Sequence, residues 1–307
     1  MSTVTNRRAV MGAVFVLISL PLVLALGEVA SFVAANRSTG TIVSSGERRE
    51  YNLYVPPSYQ RSTPTSLVIS LHGAGMWGAG QEVTSRWDRV ADANGFIVVY
   101  PSGMTGRGPR IWREEEGEGL TKDVRFIADL IDSLSAAYNI DRRRVYANGL
   151  SNGGGMSFAL SCLLTDRIAA VGMVGAAQLL PFTWCKSRRA MPMIDFHGTA
   201  DPEVPYHGGT TWVAPMRFPD VSTWTAQWAT RNQCAPTPTD SLVSVDVTRR
   251  TYGRCASNAA VVLYTVHGGG HTWPGGGYLP EWFVGRTSQS IDASSLMWAF
   301  FREYHLP

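Results

Sequence analysis

Lysine is almost missing from this chain. Of its 27 basic side chains only Lys122 and Lys186 are lysines, and the rest are arginines, a skew that reads as codon usage. Beyond residue 36 no basic run is longer than Arg142-Arg143-Arg144, and the formal net charge is +3. Nucleic-acid binding therefore has little support, because it needs a dense basic stripe to displace counterions from phosphates. Cysteine is scarce as well: there are four, and none falls in the first 35 residues, which argues against a lipid-modified N-terminus. No C-x-x-C spacing occurs, so a zinc site has no framework. No internal repeat or low-complexity linker follows residue 36.

What is present is the composition of an ordinary globular protein. The chain is 307 residues long, 45% hydrophobic and 17% charged, enough for one large domain with a substantial core. Its N-terminus stands apart. Arg7 and Arg8 precede an uncharged apolar run over residues 9–27, followed by Glu28 and small residues up to Ala35. This pattern reads as a signal peptide over 1–35, cut after Ala35, or as an uncleaved membrane anchor over 9–27. The pair in "NRRAVM" also permits twin-arginine export. Each of these readings places residues 36–307 outside the cytoplasm, secreted or anchored. An oxidising compartment suits Cys162, Cys185, Cys234 and Cys255. Of their three possible pairings, the one joining sequence neighbours is expected, since Cys162–Cys185 and Cys234–Cys255 each close a local loop.

Short runs rich in Val, Ile and aromatics recur along 36–307: "EYNLYV", "SLVISLHG", "FIVVYP", "RVYANG", "AVGMVG", "MIDFHG" and "VVLYTVHG". Helical spacing separates several of them, most clearly in "DVRFIADLIDSLSAAYNI", where Ile127, Leu130, Ile131 and Leu134 make one apolar face. Strands apolar on both faces, alternating with amphipathic helices, predict an α/β domain with a mostly parallel sheet flanked by helices on both faces. The excursion from Gly103 to Thr121, rich in glycine and charge, interrupts this rhythm. Such an excursion is either a solvated loop or part of a substrate rim, and Trp112 within it favours the rim, because an exposed indole seldom serves solubility.

Two glycine patterns compete for the chemistry. "GAGMWG" (73–78) follows a strand and fits G-x-G-x-x-G, but the next strand ends in Pro101 and Ser102 with no acid for a ribose, so no nucleotide cofactor is expected. "GLSNG" (149–153) is G-x-S-x-G between a strand and a helix, the setting of a nucleophile elbow. Such a turn strains the serine and crowds the residues two before and two after it, which glycine relieves. Serine needs a base, and the base an orienting acid, which on this architecture follow in the order Ser, Asp, His. Asp201, in the turn after "MIDFHG", and His271, in the glycine loop after "VVLYTVHG", fill that order. Asp195 falls inside its strand and Asp220 follows no strand. His267 sits at the end of its strand, packed at the sheet edge, and three glycines between it and His271 rule against a helical metal pair. No metal is expected. The oxyanion donors predicted are the Asn152 and Ala74 amides.

"YNLYVPPSY", "LVISLHGAG", "GLSNGG", "FHGTADPEVPY" and "GGGHTWPGG" together resemble the secreted polyhydroxybutyrate-depolymerase-like and feruloyl-esterase-like carbohydrate esterases, from about Ser44 to the C-terminus. The resemblance implies an α/β-hydrolase fold, carboxylic ester hydrolysis through an acyl-enzyme, and a triad of Ser151, Asp201 and His271. It also implies that Tyr206, in "VPYHGG", and Trp273, in "TWPGG", line the site entrance beside Trp112. Trp184 and Trp212 lie near the motifs as well. The "REEEGEG" excursion departs from the family pattern, and so the ester, polyhydroxyalkanoate, feruloyl or acetyl-sugar, small or polymeric, stays open. Acyl transfer or peptide cleavage by the same triad, and a catalytically silent surface-binding protein, are the alternatives.

Overall fold

All seven predicted apolar runs are strands in the computed structural model, which describes residues 37–104, 110–187, 189–211, 217–277 and 280–307. They are β2 (Glu47–Tyr54), β3 (Thr65–Leu71), β4 (Ile97–Pro101), β5 (Ile140–Leu150), β6 (Ala170–Val174), β7 (Met193–Gly198) and β10 (Val261–Val266). Three more were not anticipated: β1 (Gly40–Ser44), β8 (Thr239–Ser244) and β9 (Val247–Tyr252). The sheet runs β1-β2-β4-β3-β5-β6-β7-β10-β9-β8. From β4 to β10 the neighbours are parallel, while β1–β2 and β8–β9 close the two edges as antiparallel hairpins. Ser38–Pro307 form one compact unit. Residues 1–36, with the predicted signal or anchor, lie outside the described residues, as does Trp212.

Parallel strands with both faces buried need cover on each side. The covering helices are α1 (Gly78–Ser85), α2 (Trp87–Asn94), α3 (Glu118–Ala137), α4 (Asn152–Leu163), α5 (Val221–Arg231), the short α6 (Glu281–Val284) and α7 (Ala293–Phe301). Adjacent residues of a strand point to opposite faces, and β5 shows what each face meets. Ala147 joins the core cluster of Phe126 and Ile127 from α3 and Phe158 from α4, whereas Tyr146 stacks on Phe301 of α7. The apolar stripe of α3 (Leu120, Val124, Ile127, Leu130, Ile131, Leu134) is buried along its whole length. Truncating one of these leucines to alanine costs about 2–5 kcal/mol.

The cysteines pair as expected, Cys162 with Cys185 and Cys234 with Cys255. The first bond ties the end of α4 to the segment after β6, and the second ties the end of α5 to the segment after β9.

Candidate active site

The chemistry-bearing side chains all follow C-terminal ends of parallel strands. Ser151 comes directly after β5, with φ 54° and ψ −120°, a conformation a non-glycine residue holds only under constraint. The constraint is visible. Ser151 N donates to Val174 O at 2.9 Å, and Ser151 O accepts from the amides of Gly154 (2.8 Å), Gly155 (3.1 Å) and Ala177 (3.0 Å). The predicted crowding is real too: a Cβ on Gly149 would lie 2.3 Å from Gly153 C, and one on Gly153 would lie 2.4 Å from Leu71 O.

After β7 the chain turns through Asp201, 6% exposed, and after β10 through His271, 4% exposed. Asp201 Oδ2 and His271 Nδ1 are 2.8 Å apart, and Asp201 Oδ1 accepts from the amides of Glu203 and Val204, each at 2.8 Å. Burial alone would push the Asp201 carboxyl up. The His271 charge and hydrogen bond, with the Val204 amide, outweigh it and hold the carboxyl below its ordinary range. Burial likewise disfavours the imidazolium of His271, but the Asp201 carboxylate overcomes it and holds the imidazole above its ordinary value. A carboxylate on Nδ1 fixes the tautomer with Nε2 free to accept a proton. Gly175 borders both groups: it follows Val174, which holds Ser151, and a Cβ there would lie 3.1 Å from His271 Nδ1.

Ser151 opens on a cavity of about 340 Å³. Ala74 and Asn152 line it beside the serine, and neither of their amides donates to another described residue. The loop bearing Ala74 is anchored by His72, whose Nε2 accepts from the Gly103 amide at 2.9 Å while its Nδ1 sits 2.7 Å from Gly73 O. Burial pushes His72 down to about 4, so it stays neutral, with its proton on Nδ1. Ile111, Trp112, Leu179 and Phe218 form an apolar wall, and Glu114, Glu115 and Glu203 add carboxyls.

Other predicted positions fall elsewhere. Trp112 lines the cavity, but it is no exposed rim residue. It is 1% exposed, donates from Nε1 to His72 O at 3.1 Å, and packs against Phe126. Tyr206 and Trp273 do not line this cavity. Tyr206 is turned inward, its hydroxyl 2.8 Å from Thr265 Oγ1, and Trp273 Nε1 donates to Ser294 Oγ at 3.0 Å. Both rings serve packing, because their polar ends find partners inside the fold. His267, expected to be packed at the sheet edge, is exposed, with Nε2 3.1 Å from Thr248 Oγ1. Asp220 caps α5, accepting from Thr223 N at 2.8 Å, and Asp195 is buried within β7, where burial raises it to about 6. Trp184 lies in a 3₁₀ turn.

Two residues escaped the sequence reading. Glu203 Oε2 lies 3.6 Å from His271 Nε2, and its position two residues past Asp201 was a usable signal. Glu114 Oε1 accepts from Asn152 Nδ2 at 2.5 Å. Nothing in "REEEGEG" distinguished it from its acidic neighbours.

The parallel sheet, the strained serine after its fifth strand and the loops carrying Asp201 and His271 define an α/β-hydrolase fold. The profile of the family Esterase PHB depolymerase matches residues 49–200, and this chain belongs to the polyhydroxybutyrate-depolymerase-like esterase family. A bifunctional acetylxylan esterase/xylanase of Neocallimastix patriciarum is 33% identical over 161 residues, 52% of this chain and 22% of that protein. Feruloyl esterase B of Piromyces equi is 29% identical over 226 residues, 70% of this chain and 41% of that protein. This chain thus spans well under half the length of these two relatives. The solved acetyl xylan esterase from Aspergillus awamori superposes with a TM-score of 0.59 at 17% identity, covering 76% of this chain and 93% of that one, a likeness of fold.

Proposed function

We propose that this chain is a serine esterase acting through Ser151, His271 and Asp201. Ser151 Oγ bonds to the ester carbonyl carbon as His271 Nε2 takes the hydroxyl proton. The tetrahedral intermediate collapses, the ester C–O bond breaks, and His271 gives the proton to the leaving alcohol. Water then cleaves the acyl-enzyme by the same proton route. Asp201 orients the imidazole, and the amides of Ala74 and Asn152 receive the developing oxyanion. The observation that carries this reading is the conjunction of a serine at φ 54° and two unengaged amides at one cavity with a buried Asp–His pair, whose aspartate sits in a loop that borders that cavity through Glu203 and Val204. The apolar wall of Ile111, Trp112, Leu179 and Phe218 favours uncharged acyl groups, so we take acetyl and feruloyl esters of sugars as the first candidates and polyhydroxyalkanoates as the next.

Residues 36–307 are the proposed catalytic domain, exported by the segment 1–35 or tethered by 9–27. Two disulfides support an oxidising compartment. Among the described residues no helix is long and apolar enough to cross a membrane. The central experiment is p-nitrophenyl acetate and butyrate turnover with fluorophosphonate labelling. Ser151→Ala should abolish both, and wild-type rates from that variant would end the assignment.

A further inference from the structure

Glu114 sits on the loop between β4 and α3, 2% exposed, beneath the first turn of α4. A buried carboxylate ordinarily takes a cation or several donors. Glu114 belongs to none of the ion pairs among the described residues, and it receives one donor, Asn152 Nδ2. Its other oxygen, Oε2, is buried without a partner. The surroundings of Oε2 are unusual for an acceptor. A Cβ on Gly155 would lie 1.6 Å from Oε2 and 2.3 Å from Ala177 O. The two oxygens are therefore neighbours, no further apart than those two distances together. Ala177 O accepts from the Leu179 amide at 3.1 Å and keeps a second lone pair. Two acceptors so placed repel, whereas a proton on Oε2 makes them donor and acceptor.

We propose that Glu114, carrying its proton on Oε2 and donating it to Ala177 O, is a positioning residue for the oxyanion hole. The proposal rests on the esterase reading above. The carboxyl clamps both ends of the elbow at once. Oε1 holds the side chain of Asn152, whose backbone amide is the oxyanion donor, and Oε2 holds Ala177, whose amide donates to Ser151 O at 3.0 Å. Asn152 is gripped a second time by the same loop: Trp112 N donates to its Oδ1 at 2.6 Å, and its Nδ2 donates to Trp112 O at 3.0 Å. Gly155 thereby acquires a reason, since any side chain there would occupy the place of Oε2.

The neighbouring charges favour the neutral form. From α4 the carboxyl meets Asn152 and Gly155, and from the segment after β6 it meets backbone, so neither offers a charge. On its own loop Glu115 repels a second negative charge, and Arg113 is turned to Asp123 and Glu47. Glu203, on the segment after β7, lines the same cavity and is itself acidic. Burial pushes Glu114 well above the carboxylate range, the Asn152 bond opposes this in part, and Glu115 adds to it.

The test compares full-length wild type with Glu114→Gln and Glu114→Ala. Glutamine keeps an acceptor for Asn152 and a donor for Ala177, so E114Q should fold and keep kcat within about threefold. E114A should lose kcat on the order of 10²-fold with KM little changed, as expected when a reacting group is misplaced. The infrared difference between wild type and E114Q at neutral pH should contain a protonated-carboxyl band. Absence of that band, an unfolded E114Q, an E114Q as slow as E114A, or an E114A as fast as wild type overturns the proposal. Should E114A not fold, the band and the E114Q rate decide alone. Loss of turnover and labelling in wild type would instead overturn the esterase reading, while the infrared band still judges Glu114.

Discussion

Gly175 is the wall against which His271 rests. Its φ is +50°, and a Cβ there would lie 3.1 Å from His271 Nδ1 and 3.3 Å from Asp201 Oδ2. Alanine would meet strain from its backbone of about 1–3 kcal/mol and would press on the imidazole as well. We expect Gly175→Ala to lower kcat by roughly 10²-fold. Circular dichroism should show the fold retained, and steady-state rates should show the loss.

The pH profile follows from the protonation His271 needs. As the proposed base it must be neutral to accept a proton, and its imidazole is held above the ordinary value by Asp201, with Glu203 adding to the effect. Activity should therefore rise with pH through a midpoint above about 6.5, the unperturbed histidine value. Glu203→Gln removes one of the charges that stabilise the imidazolium, and the midpoint should move to lower pH. An unmoved acid limb in kcat/KM would show that Glu203 does not act on His271.

Asp201→Asn tests the orienting role. An amide cannot fix the tautomer as a carboxylate does, and the loss of kcat should be on the order of 10⁴-fold, as in the serine-protease precedent. Burial of the remaining groups is unchanged, so the thermal midpoint should fall far less than for a core truncation.

Asn152→Ala would leave the Trp112 amide without its acceptor, in a buried place. An orphaned buried donor costs about 1–3 kcal/mol. Urea melts should show that loss, and acetate ester turnover should fall with it as the loop 110–117 loosens over the cavity.

The disulfides close loops of 23 and 21 residues in sequence separation. Chain-entropy bookkeeping assigns about 3 kcal/mol to a loop near this length. Reductant should lower the melting temperature by several degrees, and paired Cys→Ser variants should apportion the loss between the two bonds.

The legible part of this molecule was the part with sustained apolar patterning. The central strands announced themselves because burial on both faces makes continuous apolar runs, and topology then fixed the order of serine, aspartate and histidine. Strands β1, β8 and β9 gave no such signal. Residues of β8, "TDSLVS", are exposed or half-buried throughout, as befits an edge. Tyr206 and Trp273 were misplaced because a sequence gives a ring's neighbourhood but not its rotamer. Trp112 lines the cavity as a fixed wall with its nitrogen already engaged. Glu114 was unreadable for a deeper reason: an unpaired carboxyl placed inside runs against every pattern of polarity.

The groups that would break the ester hang from strands hydrogen-bonded into one sheet. Much of the cavity wall comes from elsewhere, from the loop 110–117 and the segments around Leu179 and Phe218. On the proposed function, reactivity and selectivity would thus be separately heritable in this chain. Exchanging residues such as Ile111, Leu179 or Phe218 would then change which esters fit without disturbing how they are cut, and a lineage would be free to drift between substrates while its reaction stayed the same. Glu114 is the exception, a wall residue tied into the machinery, and it marks where that freedom ends.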